Sequence, residues 1–241
     1  MKKFAVVALV LAAVAAGAGF WAYHSLDVIV KVALEFFAPH VAGVSVKVGE
    51  TSFSAREGRG SLKNVEIGNP SGFSASRAAR LGEIRIWLDP ATATESVVLV
   101  HEIVIDSPVI VYERSDRGTN LDAIQKRIES YIKSKGAATD ASAEAPQGTS
   151  HRLVVERLSI RGAKVTMTNP GLKGQGVSFD LPDIELRDVG KRQNGITPSQ
   201  LANIVTGAIL ARIAQRVLTN IELLRRGGVE GAIDALKGLV H

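Results

Sequence analysis

Residues that could do chemistry are thinly spread along this chain. The five histidines, His24, His40, His101, His151 and His241, have no partner at metal-ligand spacing, and no H-E-x-x-H pair occurs. With no cysteine, thiolate catalysis, iron–sulfur clusters and cysteine-based zinc sites are excluded. No G-x-S-x-G elbow, Walker loop or dinucleotide fingerprint is present. Gly58-Arg59-Gly60 reads as a turn between strands, because no helix follows it to complete a phosphate cradle. Asp183 and Glu185 share one face of a strand, but retaining glycoside hydrolysis needs two carboxyls about 5 Å apart across a cleft. Neighbours on an exposed strand read instead as solvated. His101, flanked by Val97, Leu99 and Ile103, reads as a core histidine. The expectation is a protein that is not an enzyme, with no catalytic residue, metal or cofactor.

The positioning elements can be read from composition and period. The chain has 241 residues, 46% hydrophobic and 22% charged, enough to bury a core without a disulfide or metal staple. Its net charge of +5 is dispersed and its aromatic content is 5%, which argues against a nucleic-acid partner. Met1-Lys2-Lys3 precedes a charge-free run over residues 4–23. Twenty helical residues span roughly 30 Å, a bilayer core, with the lysines held on the cytoplasmic side. Residues 1–24 are therefore expected as a retained inner-membrane anchor or, through Ala16-Gly17-Ala18, a cleaved signal sequence. Either way the body is exported to the periplasm.

Residues 25–42 read as a helix leading to a sheet, with Lys31 and Glu35 one turn apart and Pro39 as its stop. Over residues 43–135 the period becomes two: Val44, Val46 and Val48; Ile84, Ile86 and Leu88; Ile103 and Ile105, then Ile110 and Tyr112. Short turns between such strands predict an antiparallel meander. The run Val97-Val98-Leu99-Val100 is apolar on both faces. Asn120 is placed to cap a helix whose stripe is Leu121, Ile124, Ile128 and Ile132. Residues 136–150 read as a flexible linker, and residues 151–190 continue the strands, with a parity slip at Pro182. Over residues 191–241, Thr197-Pro198-Ser199-Gln200 is a capping box opening a long helix. Leu201, Ile204, Val205, Ala208, Val217, Ile221 and Leu224 mark its apolar side; Arg212, Arg216, Arg225 and Arg226 mark a solvated or lipid-facing side.

Two segments echo each other at an offset of 55 residues: Ile103, Ile105, Pro108, Ile110 and Tyr112 align with Leu158, Ile160, Ala163, Val165 and Met167. Read locally, each is a hairpin turning at Ser107 or Gly162.

Residues 44–135 also resemble the N-terminal region of the AsmA-like family. The resemblance rests on Val44-x-Val46, Gly60-x-Leu62, Asn69-Pro70-Ser71-Gly72-Phe73, Leu81-Gly82-Glu83-Ile84, Ile103-x-Ile105-x-x-Pro108, Tyr112-Glu113 and Asn120-Leu121. In the Asn69 string, proline fixes φ, Gly72 permits positive φ, and Phe73 is placed to pin the loop to the core. The resemblance implies an α+β body: a curved antiparallel sheet, anchored to the inner membrane and forming a trough with an apolar interior. It implies a role in outer-membrane biogenesis and phospholipid movement. Candidate groove positions are Ile84, Ile86, Leu88, Ile103, Ile105, Ile110 and Tyr112, which are equally readable as ordinary core. The partners implied are a phospholipid or other hydrophobe, the inner membrane and larger envelope proteins. The alternative is an assembly factor that docks on a partner without binding lipid.

Overall fold

The computed structural model describes residues 26–138, 151–168 and 176–226. Helix α1 (Leu26–Ala42) is followed by strands β1 (Val46–Lys47), β2 (Glu50–Ser54), β3 (Arg59–Gly68), β4 (Arg77–Leu88), β5 (Val97–Asp106), β6 (Val109–Ser115) and β7 (Gly118–Thr119). Then come helix α2 (Asn120–Ala138), strands β8 (Arg152–Arg161), β9 (Lys164–Thr168), β10 (Val177–Asp180) and β11 (Ile184–Val189), and helix α3 (Pro198–Arg226). The fold is α+β, one large mixed sheet with helices against it.

The sheet is antiparallel except at two pairings that join its two halves. Strand β5 runs parallel to β8, and β6 parallel to β9. The 55-residue echo is the register of that pairing: Ile103 faces Leu158, Ile105 faces Ile160, Ile110 faces Val165 and Tyr112 faces Met167. The two segments are therefore not hairpins. β5 and β6 follow one another along the same edge of β4, and β8 with β9 repeats this one strand over. A parallel neighbour needs a crossover, supplied here by a connection that includes α2.

A parity slip like that at Pro182 recurs across the sheet. Buried or half-buried apolar residues are spaced by three instead of two at Leu62/Val65, Leu81/Ile84, Ile105/Pro108, Ile160/Ala163 and Leu181/Ile184. These slips fall on one line, because Leu62, Ile84, Ile105, Ile160 and Ile184 are successive cross-strand neighbours. The backbone is left-handed along it at Asn64 (φ 52°), Ser107 (49°) and Gly162 (60°). A second line joins Leu88, Val100, Val155 and Val189, beside His101, Glu156 and left-handed Asp188. Each irregularity inserts one residue, so the apolar side chains return to the same face beyond the fold line.

Helix α1 runs through Pro39 to Ala42, past the stop expected there. Proline removes one donor, but the bond from the Gly43 N–H to the Pro39 carbonyl (2.8 Å) still closes the last turn. Gly43 then ends the helix at φ 70°. Lys31 and Glu35 grip the β1–β2 turn: the ammonium donates to the Gly49 carbonyl (3.0 Å) and the Glu35 carboxylate accepts from the Val48 N–H (2.8 Å). Arg59 and Gly60 open β3 rather than ending a turn. Residues 136–138, expected in a linker, belong to α2, and residues 139–150 lie outside the described residues, as does the anchor run 4–23.

Candidate functional site

The seven groove positions share one face of the sheet. Ile84 pairs with Ile105 and Ile86 with Ile103; Leu88 follows beside Val100, and Ile110 and Tyr112 continue beyond the fold line. Ile103 and Ile110 are buried, and the other five are half-buried against the same core. Helices α2 and α3 pack on this face, through Leu121, Ile124 and Ile128 from α2 and Leu201, Val205, Ile213 and Val217 from α3. Ile204, expected on the apolar side of α3, points outward and is 38% exposed. The Thr197–Gln200 capping box forms as expected: the Thr197 N–H donates to Gln200 Oε1 (2.8 Å), and the Gln200 N–H donates to Thr197 Oγ1 (3.2 Å).

Between sheet and helices lies a cavity of about 120 Å³. Ile67, Ala79, Ile105 and Ile110 are among its floor residues, and Leu121, Val205 and Ile209 contribute to its roof. Of the seven groove positions only Ile105 and Ile110 line it. Thr206 is its polar exception, and that hydroxyl is spent on the Ala202 carbonyl (2.9 Å).

The segments that carry the family resemblance meet at a second place. Glu113, 1% exposed, accepts four hydrogen bonds: from Asn69 Nδ2 (2.8 Å), the Ser74 N–H (2.6 Å), Ser74 Oγ (2.5 Å) and the Ala75 N–H (2.9 Å). Burial alone would raise this carboxyl; the Ser74, Ala75 and Asn69 donors outweigh it and hold the pKa below the usual glutamate value. Asn120 completes the hub. Its Oδ1 accepts from the Glu113 N–H (3.0 Å) and the Leu121 N–H (2.9 Å), and its Nδ2 donates to Asn69 Oδ1 (2.9 Å) and the Val111 carbonyl (2.8 Å). The cap of α2 thus shifts to Thr119, whose hydroxyl accepts from the Asp122 N–H (3.2 Å) and donates to the Asp122 carboxylate (2.6 Å).

In the Asn69 loop, Gly72 has φ 96° as the turn requires. Phe73 is half-buried but stands outside the apolar core, so the loop is pinned by the Asn69 amide and Pro70, whose carbonyl accepts from the Phe73 N–H (3.4 Å). Tyr112 lies next to Glu113; burial first, and then the Asp122 carboxylate, push its hydroxyl above the ordinary phenol value. The Glu113 carboxylate and the Asn120 amide spend these hydrogen bonds on the protein's own backbone and side chains, the chemistry of a structural clasp.

The remaining sequence candidates are tied up. Asp183 accepts from the Gly162 N–H (3.1 Å), and Glu185 pairs with Arg187 (2.7 Å). His101 is not a core residue. The irregularity at its position turns it to the polar face, where its ring meets Trp87 (centroids 4.6 Å apart) and Nδ1 meets Glu156 Oε2 (2.9 Å). Among the described residues, no group of three or more metal-binding side chains converges. One helical stretch among them, Pro198–Leu218, is long and apolar enough to cross a membrane by length and composition. Here it lies against the sheet and α2, with Ile213 and Val217 buried. A scan against models of known protein families finds no match, and no curated protein matches this chain.

Proposed function

We propose that this chain is an inner-membrane-anchored periplasmic protein of the AsmA-like kind, without enzymatic activity. It holds a lipid or another hydrophobe, or assists its transfer, in outer-membrane biogenesis. The observation that carries the reading is the apolar cavity between the sheet and α3. Its size sets the mode. An engineered apolar cavity of roughly 150 Å³ admits benzene, so about 120 Å³ accommodates the end of a hydrocarbon chain and no more while α3 is seated. A whole acyl chain requires α3 to lift. Such a chain would trade bilayer contact for the Ile84–Ile86–Ile103–Ile105 face, at ~0.8 kcal/mol per buried methylene. The helix is suited to that exchange because it carries no charge between Gln200 and Arg212. A strand of ~10 residues spans about 33 Å, so local holding beside a larger partner fits this chain better than a bridge across the envelope.

The smallness of the cavity favours a second reading, an assembly factor whose apolar face is simply core and which docks on an envelope protein. Lipid extraction and mass spectrometry of the full chain purified from membranes separates the two, together with uptake of a fluorescent fatty acid. The carrier reading expects co-purifying lipid and saturable uptake that drops severalfold in Ala79→Leu, which fills the cavity. Absence of both leaves the assembly factor.

A further inference from the structure

The polar face of β2–β5 holds a larger concavity, of about 500 Å³, within the roughly 300–1,000 Å³ range of small-molecule sites. Its wall is built from two cross-strand rows of parity opposite to the apolar ones. Ser54, Arg59, Trp87 and Glu102 form one; Ser52, Ser61 and Arg85 form the next. Part of this wall is already neutralised. Arg85 pairs with Glu83 (3.2 Å) and Asp106 (2.5 Å), and Glu102 pairs with Arg157 (2.9 Å).

What remains open is a balanced set. Among the described residues the Arg59 guanidinium makes no hydrogen bond or ion pair, only a stack on Trp87 at 5.0 Å, and the Ser52, Ser54 and Ser61 hydroxyls and the Glu57 carboxylate have no side-chain partner. Trp87 is 39% exposed and offers an apolar edge beside them. A hydrocarbon here would leave these groups desolvated and unpaired. An anion would have the Arg59 guanidinium alone to pair with, beside the unpaired Glu57 carboxylate. A neutral polyol suits the wall, because each of its hydroxyls both donates and accepts.

We propose that this concavity binds a neutral saccharide, with sugar hydroxyls accepting from Arg59 and the serines and donating to Glu57, and sugar C–H groups along the exposed edge of Trp87. The site is independent of the apolar cavity, and neither reading rests on the other. The test is calorimetric titration of the full chain, held in a detergent without a sugar headgroup, with maltotriose, cellotriose and chitotriose at millimolar concentrations. Saturable binding of at least one is expected, weakened about tenfold or more in Arg59→Gln and in Ser61→Val, with fatty-acid uptake unchanged. Arg59 faces solvent, so its variant serves if the strand substitution unfolds the chain. No saturable binding of any trisaccharide, unaltered affinity in a folded variant, or competition by inorganic phosphate would overturn the proposal.

Discussion

Ser107, at the break between β5 and β6, and Gly162, at the break between β8 and β9, are both left-handed at φ 49° and 60°, and the Ser107 N–H donates to the carbonyl of Arg161 just before Gly162 (2.8 Å). The pair marks where two chain segments bend together. A Cβ at Gly162 meets nothing closer than Ser107 Oγ at 3.6 Å, so a substitution there is opposed by backbone conformation and not by crowding. Gly162→Val is expected to lower stability by about 1–3 kcal/mol, whereas Ser107→Gly is neutral or stabilising by up to about 1 kcal/mol. Chemical denaturation of both variants checks the contrast. Equal destabilisation by both would refute it.

The Glu113 carboxylate is the acceptor that fastens the Asn69–Ala75 loop to β6. Glu113→Gln presents an amide N–H₂ to groups that donate, and is expected to cost roughly 2–4 kcal/mol. The folded-state pKa is depressed, so this stabilisation is complete above the ordinary carboxylate range and is lost as pH falls through the lower folded value. Urea titrations at pH 7 and at stepwise lower pH should show the gap between wild type and variant narrowing below about pH 4. A gap that widens on acidification contradicts the assignment.

Asn120 holds both Asn69 and the Glu113 backbone, so its loss is felt beyond its own helix. Asn120→Ala is expected to destabilise by about 2–3 kcal/mol, more than the ~1 kcal/mol of a typical cap. Combined with Glu113→Gln it should fall short of additivity, because the two changes break one network. A double-mutant cycle gives the coupling directly.

Ala79 lines the cavity beneath α3. If the cavity is unfilled in the resting protein, Ala79→Leu raises stability by about 1 kcal/mol, the inverse of the ~24 cal/mol per Å³ that cavities cost. Thermal melts of the full chain, set beside the uptake assay, report whether filling it strengthens the body while lowering hydrophobe binding.

Much of this structure is legible in local pattern. The period-two runs around Ile84–Leu88 and Ile103–Ile105 are strands, the Thr197 box opens α3, and Leu121, Ile124 and Ile128 face the core. Pairing direction is not local. The alternation of β5 and β8 is the same whether a strand's neighbour runs with it or against it, and only the 55-residue correspondence carried the parallel register. Counting by twos from Val97 puts His101 on the apolar face, because it ignores the extra residue that turns the strand there. The hub shows the reverse case. Asn69, Glu113 and Asn120 are scattered pieces of a resemblance in the sequence, and nothing in their spacing reveals that they touch; that is a property of the closed fold. The outer concavity left no sequence signal, since alternating serines and charges on a strand also describe an ordinary wet surface.

The parallel partnership of β5 with β8 has a consequence for how the chain is made. Synthesis from the N-terminus delivers β1–β6 and α2 well before residue 152 exists, leaving the far edge of β5 and β6 with unsatisfied ladder groups and a line of exposed isoleucines. Long-range pairing of this kind closes slowly. A nascent body of this protein therefore passes through an interval of stickiness that ends only when its second broken strand arrives, and a truncation before residue 168 makes that interval permanent.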